Sequence, residues 1–339
     1  MILLEKRRLG VTELEESVIG FGGIPIQRVD QEMATELFQN AYEKGINFID
    51  TARGYNESET LIGNALDVVG REKFIIATKS MKRDYDGMVE EINISLRDLK
   101  TDYIDLYQLH NIRSMEELDI AMGEDGALKA LKEAKEKGIV KEIGITGHTP
   151  EILDKAIDTG AFATIQCPYN PVEQQARELF AKANSMGIGV IVMKPLAGGA
   201  ITKGELSLRF IVENPNVTVA IPGMESIEQV DGNALVGIDR RKLSLEEEEE
   251  LFEEANSLGA EFCRRCGYCL PCPQGIDIPV QFLMEGYYTR YNLQEWAQGR
   301  YDVMESKASD CIECGQCEPR CPYDLPIRKM LKNVVSKLG

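Results

Sequence analysis

The chain has 339 residues, 43% of them apolar and 28% charged, which suits a folded protein of one large domain or two smaller ones. A formal net charge of −18 and an isoelectric point near 4.7 disfavour nucleic acid and anionic membranes as partners. No run of about 18 apolar residues occurs, and the first residues lack the pattern of a signal peptide, so we expect no membrane span and a cytoplasmic location.

Residues 2–16 alternate around Gly10, Val11 and Thr12 and predict an opening hairpin. Apolar strand candidates then recur at 18–21, 47–50, 74–78, 104–109, 142–146, 164–167, 190–193 and 217–221. Helix-period segments separate them at 33–43, 57–68, 88–99, 127–136, 150–158, 173–185 and 205–213. Gly45, Gly138 and Gly187 stand just before strands and fit C-cap positions. Strands alternating with helices predict parallel pairing. Eight of them in about 220 residues predict an α/β fold, the (β/α)8 or TIM barrel. The count of eight and the lack of G-x-G-x-x-G after the first strand disfavour a doubly wound open sheet. A short segment (226–236) and an acidic helix (244–258) follow, the Glu run of the latter reading as a solvated face. We place a boundary near Gly259, giving a barrel over 1–258 and a small α-rich domain over 259–339.

Eight of the nine cysteines lie between 263 and 321, and without marks of secretion they predict metal ligation rather than disulfides. Cys167, the ninth, reads as a small buried hydrophobe. Cys311, Cys314, Cys317 and Cys321 follow the Cys-x2-Cys-x2-Cys-x3-Cys-Pro run of bacterial ferredoxins. Cys263, Cys266, Cys269 and Cys272 form a companion run, one residue shorter before its last Cys. Four-Cys zinc sites also use Cys-x2-Cys pairs, but three Cys at this spacing ending in Cys-Pro favour two [4Fe–4S] clusters. The fourth Cys of each run is expected on the other cluster, so Cys321 joins Cys263, Cys266 and Cys269, and Cys272 joins Cys311, Cys314 and Cys317.

Asp50, Lys79 and His110 fall at the C-terminal ends of strand candidates two to four, with Tyr55 in the loop after Asp50. That face is where barrels of this class do chemistry. The four residues, within Asn47-Phe48-Ile49-Asp50-Thr51-Ala52-x-x-Tyr55, Ala77-Thr78-Lys79 and Asp105-Leu106-Tyr107-Gln108-Leu109-His110, resemble the tetrad of the aldo/keto reductases over roughly residues 2–257. With the Cys runs, the whole resembles members of that family that carry a C-terminal ferredoxin-like domain. The resemblance implies an NAD(P)-dependent oxidoreductase acting on a small carbonyl or alcohol. It implies Tyr55 as general acid, Lys79 and Asp50 tuning it, and His110 orienting and polarising the carbonyl. A Lys ammonium beside a phenol lowers its pKa, which is the chemical sense of the pairing.

The resemblance places Gln166 and Thr146, with Gly147 and His148, near the nicotinamide. Met193 stands where many members carry a stacking Tyr, and Gly198 and Gly199 are expected to let backbone N–H groups approach the pyrophosphate. Beyond strand eight, Gly223, Ser226, Gln229 and Asn233 occupy the nucleotide-binding segment. Gly223 and Gln229 replace the Lys and Arg that clamp a 2′-phosphate, and Glu225 adds negative charge, so we expect weakened NADP preference. Amides at 223–226 are expected to retain a phosphate. The clusters either relay electrons to a redox partner or staple a domain too small to stand on its own core. A nucleotide-binding electron-transfer module with minor turnover is the competing class.

Overall fold

The computed structural model describes residues 4–258, 262–264, 267, 269–289, 294–321 and 323–339. It divides into two compact units, Met1–Leu251 and Phe252–Gly339. The expected boundary at Gly259 lies outside the described residues.

The first unit opens with an antiparallel hairpin, β1 (Lys6–Arg8) and β2 (Glu15–Ser17), in which Arg7 stands opposite Glu16. Eight strands follow: β3 (Phe21–Gly22), β4 (Phe48–Asp50), β5 (Ile75–Ser80), β6 (Ile104–Leu109), β7 (Val140–Thr146), β8 (Thr164–Pro168), β9 (Gly189–Met193) and β10 (Val219–Ala220). They pair in chain order, all parallel. Parallel bridges Ile19 to Ala220 and Gly22 to Gly223 join the first strand to the last and close the barrel. Gly20 N donates to Ala220 O at 2.8 Å and Gly22 N to Pro222 O at 2.9 Å across that seam.

The connections are short because each element carries its own stop signal. Gly45, Gly138 and Gly187 have φ of 89°, 74° and 74°, the left-handed conformation that ends a helix and is free of a Cβ penalty only in glycine. Asp30 and Asp84 cap the helices Gln31–Glu43 and Tyr85–Asp98 by accepting from Met33 N and Gly87 N. Two elements depart from the sequence reading. A helix over Met115–Met122, capped by Ser114, was not expected, since its eight residues bury only Leu118 and Ala121. The helix expected from 173 begins at Arg177, because Asn170 Oδ1 accepts from Val172 N and Glu173 N and holds those residues in a turn.

Leu9, Phe48, Ala77, Leu106, Ile191, Val219 and Ile221 form one apolar cluster, joined by the partly buried Met193. A larger cluster packs the helices onto the strands. Each fully buried Leu, Ile or Phe contributes about 1.5–3 kcal/mol relative to exposure, so the strand ends that carry polar groups rest on a rigid base. The acidic helix, Leu245–Ser257, buries Leu251 and exposes Glu246, Glu248, Glu249 and Glu250.

The second unit holds the helices Ile278–Thr289, Gln294–Asp302 and Ile327–Leu338. Its core combines Ile276, Phe282, Tyr301, Leu331 and Val334 with Cys269 and Cys321. Among the described residues, no helix is long and apolar enough to cross a membrane.

Candidate active site and metal centre

Asp50 ends β4 and lies opposite Ala77 of β5; Lys79 lies opposite Gln108 of β6. This register puts Asp50 and Lys79 together at the C-terminal end of the barrel. Lys79 Nζ lies 2.6 and 2.7 Å from the two carboxylate oxygens of Asp50 and 2.8 Å from Thr51 O. Both side chains are almost fully buried. The loop carrying Tyr55 is tied to β5, with Thr51 N donating to Ala77 O and Arg53 N to Lys79 O. Lys79 Nζ lies 5.1 Å from the Tyr55 ring centre, and the His110 ring meets that of Tyr55 edge to face at 6.0 Å. The four expected catalytic side chains therefore converge.

Their charge states follow from burial and neighbours. Burial works against the Lys79 ammonium, but Asp50 and Tyr55 more than reverse it, and its pKa is raised. Burial pushes the Asp50 carboxyl upward while Lys79 pulls it down, and the two-point contact holds the pair as ions. Tyr55 differs from expectation: burial raises its pKa above the ordinary 10 and outweighs the opposing pull of Lys79. The imidazole of His110 is held down to about 3 by burial and by the charges of Lys79, Arg83 and Arg113, so it is neutral near pH 7.

The expected nucleotide residues are placed unevenly. Gln166 on β8 accepts from Gln108 Nε2 at 2.8 Å and hydrogen-bonds Asp50, so its amide braces the tetrad. Thr146 Oγ1 accepts from Asn111 N, and Met193 packs on the apolar cluster inside the barrel. Gly198 and Gly199 have positive φ, and Gly199 N donates to Leu196 O. A Cβ at Gly223 would come 2.6 Å from Pro25 Cγ, which explains that glycine by packing alone. Ser226 caps the helix Ile227–Asp239 by accepting from Gln229 N, and the Gln229 side chain accepts from Glu225 N. One of the amides expected to hold a phosphate, Glu225 N, is thus already engaged. Asn233 lies further along that helix, half-buried. Sequence reasoning missed Arg28, which pairs with Glu225 at 3.3 Å across 197 residues of chain.

Sequence reasoning also missed the buried support of the Tyr55 loop. Glu59 accepts from Thr78 Oγ1 at 2.6 Å and Ser95 Oγ at 2.8 Å, and pairs with Arg53. Arg53 also reaches Asp98 at 3.1 Å. The residues fit a polar ligand at this end of the barrel, since His110 Nδ1 and Gln108 Oε1 are buried without a hydrogen-bond partner among the described residues.

In the second unit, Cys272, Cys311, Cys314 and Cys317 line one small cavity together with Cys269. Cys263, Cys269 and Cys321 line another. Cys266 lies outside the described residues. The described cysteines are free thiols. Among the described residues, no three Cys, His, Asp or Glu donors converge on a single-ion point. Thiols spread around a cavity fit a polynuclear cluster better than one zinc ion, whose ligands crowd a single centre about 2.3 Å away.

The chain belongs to the aldo/keto reductase family, whose model matches residues 18–206. A 4Fe–4S dicluster domain matches residues 262–326. L-galactose dehydrogenase of Arabidopsis thaliana is 28% identical over 298 residues, covering 73% of this chain and 92% of its own length. An NADH-specific methylglyoxal reductase of Escherichia coli is 29% identical over 221 residues, 59% of this chain and 69% of its own. The holo form of aldo-keto reductase AKR11C1 from Bacillus halodurans superposes with a TM-score of 0.65 at 26% identity, covering 76% of this chain and 96% of that one. The protein is therefore an oxidoreductase of a family that uses NAD(P)H, with a 4Fe–4S domain attached.

Proposed function

We propose that the chain reduces aldehydes or ketones, and oxidises the matching alcohols, with Tyr55 as the proton donor. The observation that carries this reading is the Lys79 ammonium, gripped by both oxygens of Asp50 and set against the Tyr55 ring. A bound nicotinamide nucleotide supplies the hydride. As the carbonyl oxygen gains negative charge, Tyr55 gives up its proton, and Lys79 stabilises the phenolate left behind. Asp50 keeps Lys79 charged and in place. Neutral His110 has one N–H to offer the carbonyl oxygen. Turnover of an aldehyde panel with NADH and NADPH tests the assignment; a folded protein that reduces none of them with either nucleotide overturns it.

For the nucleotide, NADH is the preferred donor. Gly223 and Gln229 offer no cation, Gln229 is engaged by Glu225 N, and the E. coli relative named above is NADH-specific by its name. The cations paired into this segment among the described residues, Arg28 and Lys44, are each neutralised by a carboxylate, Glu225 and Asp231. Parallel titrations with NADH and NADPH decide, and NADPH binding tighter by about tenfold contradicts the preference.

The second unit is assigned two [4Fe–4S] clusters, one on Cys272, Cys311, Cys314 and Cys317, the other on Cys263, Cys266, Cys269 and Cys321. The two cavity linings support this crosswise set. A second reading, electron exchange with a redox partner, is favoured by the exposure of Cys314 and by Ile312, a large apolar side chain 62% exposed beside it. Anaerobic addition of NADH tests it, because bleaching of the cluster absorption requires electrons to pass within the protein.

A further inference from the structure

Tyr55 stands in the loop 51–57, and the side chain that anchors this loop is not one of the four that converge at the barrel mouth. The loop is closed at its base by the Thr51 and Ser58 hydroxyls, 2.9 Å apart. Between them Gly54, Asn56 and Glu57 are exposed, and a Cβ added at Gly54 would meet nothing within 4 Å. Packing therefore does little for this stretch. A turn in which Tyr55 N donates to Ala52 O at 3.0 Å sets Tyr55 two residues beyond Arg53.

Arg53 is tied to β5 twice. Its backbone N–H donates to Lys79 O at 3.0 Å. Its guanidinium, largely buried, pairs with the fully buried Glu59. Glu59 divides its oxygens: Oε2 takes Arg53, and Oε1 accepts from Thr78 Oγ1 at 2.6 Å and from Ser95 Oγ at 2.8 Å. Thr78 is the residue before Lys79. The two ties close a ring that runs from Arg53 through Glu59 and Thr78 to Lys79 and back along the loop backbone. Asp98, 3.1 Å from the guanidinium, and Glu91, 3.8 Å from it, join the same group to the helix Tyr85–Asp98.

A guanidinium suits this place. Its planar fork meets several carboxylates at fixed angles, which an ammonium on a flexible stem does not. The stiffness matters because proton transfer tolerates little displacement, and a misplacement of about 1 Å costs on the order of a hundredfold in rate.

We propose that Arg53 is a positioning residue for proton transfer, holding the loop through Glu59 and Thr78 so that the Tyr55 hydroxyl stays beside Lys79 and aimed at the carbonyl. The proposal rests on the carbonyl-reductase reading above. Arg53 acts through the phenol alone, and the test uses that.

The test is a double-variant cycle with Tyr55→Phe, read as kcat for aldehyde reduction at saturating NADH. Arg53→Met is expected to lower kcat about tenfold to a hundredfold in the native background, and Arg53→Lys less. The Kd for NADH is expected to move by less than about threefold. In the Tyr55→Phe background Arg53→Met is expected to cost less than about threefold, because no phenol remains to be aimed. Equal losses in the two backgrounds overturn the proposal, since they mark a general disturbance of the barrel. So does a native kcat in folded Arg53→Met, or a Kd for NADH that weakens as much as kcat falls. If Arg53→Met does not fold, Asp98→Asn, which leaves Glu59 paired, is put through the same cycle. It is expected to lose about threefold to tenfold in the native background alone, and the same outcomes overturn the proposal. If Tyr55→Phe keeps the native kcat, or no aldehyde turns over, the proton-donor reading fails and the anchor is read by hydrogen exchange. Faster exchange of the amides of residues 53 and 55 in Arg53→Lys, with exchange in β6 and β7 unchanged, then supports the anchor, and unchanged exchange at 53 and 55 overturns it.

Discussion

Lys79 Nζ meets both carboxylate oxygens of Asp50, at 2.6 and 2.7 Å, in a setting where both side chains are almost wholly buried. Removing one partner strands the other as an unpaired buried charge, a loss of about 3–5 kcal/mol. Lys79→Met and Asp50→Asn are each expected to destabilise the barrel by that order, read by chemical denaturation. The double variant is expected to lose less than the sum of the two. Additive losses would show that the two groups do not interact.

His110 is held down to about 3, by burial first and then by Lys79, Arg83 and Arg113. The folded protein therefore carries it neutral throughout ordinary pH. No inflection near pH 6.5 is expected in kcat/KM for reduction. Tyr55 must be protonated to donate, and its pKa is raised above 10, so the rate is expected to hold until pH passes 10 and then fall. The sign for stability runs the other way at low pH. Unfolded His110 takes up a proton near 6.5 while folded His110 does not until about 3, so its contribution to stability is lost as pH falls through that window.

Glu16 on β2 is fully buried, and neither carboxylate oxygen has a partner among the described residues. Arg7, opposite it in the hairpin, donates instead to Val212 O and Val217 O. Burial raises the Glu16 pKa well above 4.5. Its stabilising contribution is therefore complete below pH 4.5 and lost as pH rises toward the folded value. Glu16→Gln is expected to raise stability at pH 7–8 by about 1–3 kcal/mol, with the gain shrinking as pH approaches 4.5. A gain that does not vary with pH would contradict the assignment.

Crosswise ligation makes a prediction that the two runs taken separately do not. The double variant Cys272→Ser/Cys311→Ser removes two ligands of one cluster and is expected to retain about four irons per chain. If each run held its own cluster, that variant would damage both. Iron and sulfide analysis after anaerobic purification separates the outcomes.

The tetrad was legible in the sequence because each member lies at or just beyond an apolar strand, and parallel register alone brings strand ends together. The cysteine runs were legible because cluster ligation needs fixed local spacing. What escaped depends on contacts between distant segments. Arg28 reaches Glu225, Glu59 reaches Ser95, and Lys194 reaches His148, and nothing in the local pattern at either end announces the partner. The raised pKa of Tyr55 escaped for a related reason: adjacency to Lys79 is visible in order along the chain, whereas burial is a property of the assembled mouth.

The central claim is that Tyr55 delivers the proton. Steady-state reduction of an aldehyde by Tyr55→Phe, alongside the native protein and at matched NADH saturation, tests it directly. The ring remains to pack against His110 and Lys79, so the fold is expected to persist. The account predicts that kcat falls about a hundredfold to ten-thousandfold with little change in the Kd for NADH. A kcat within about twofold of the native value would contradict it.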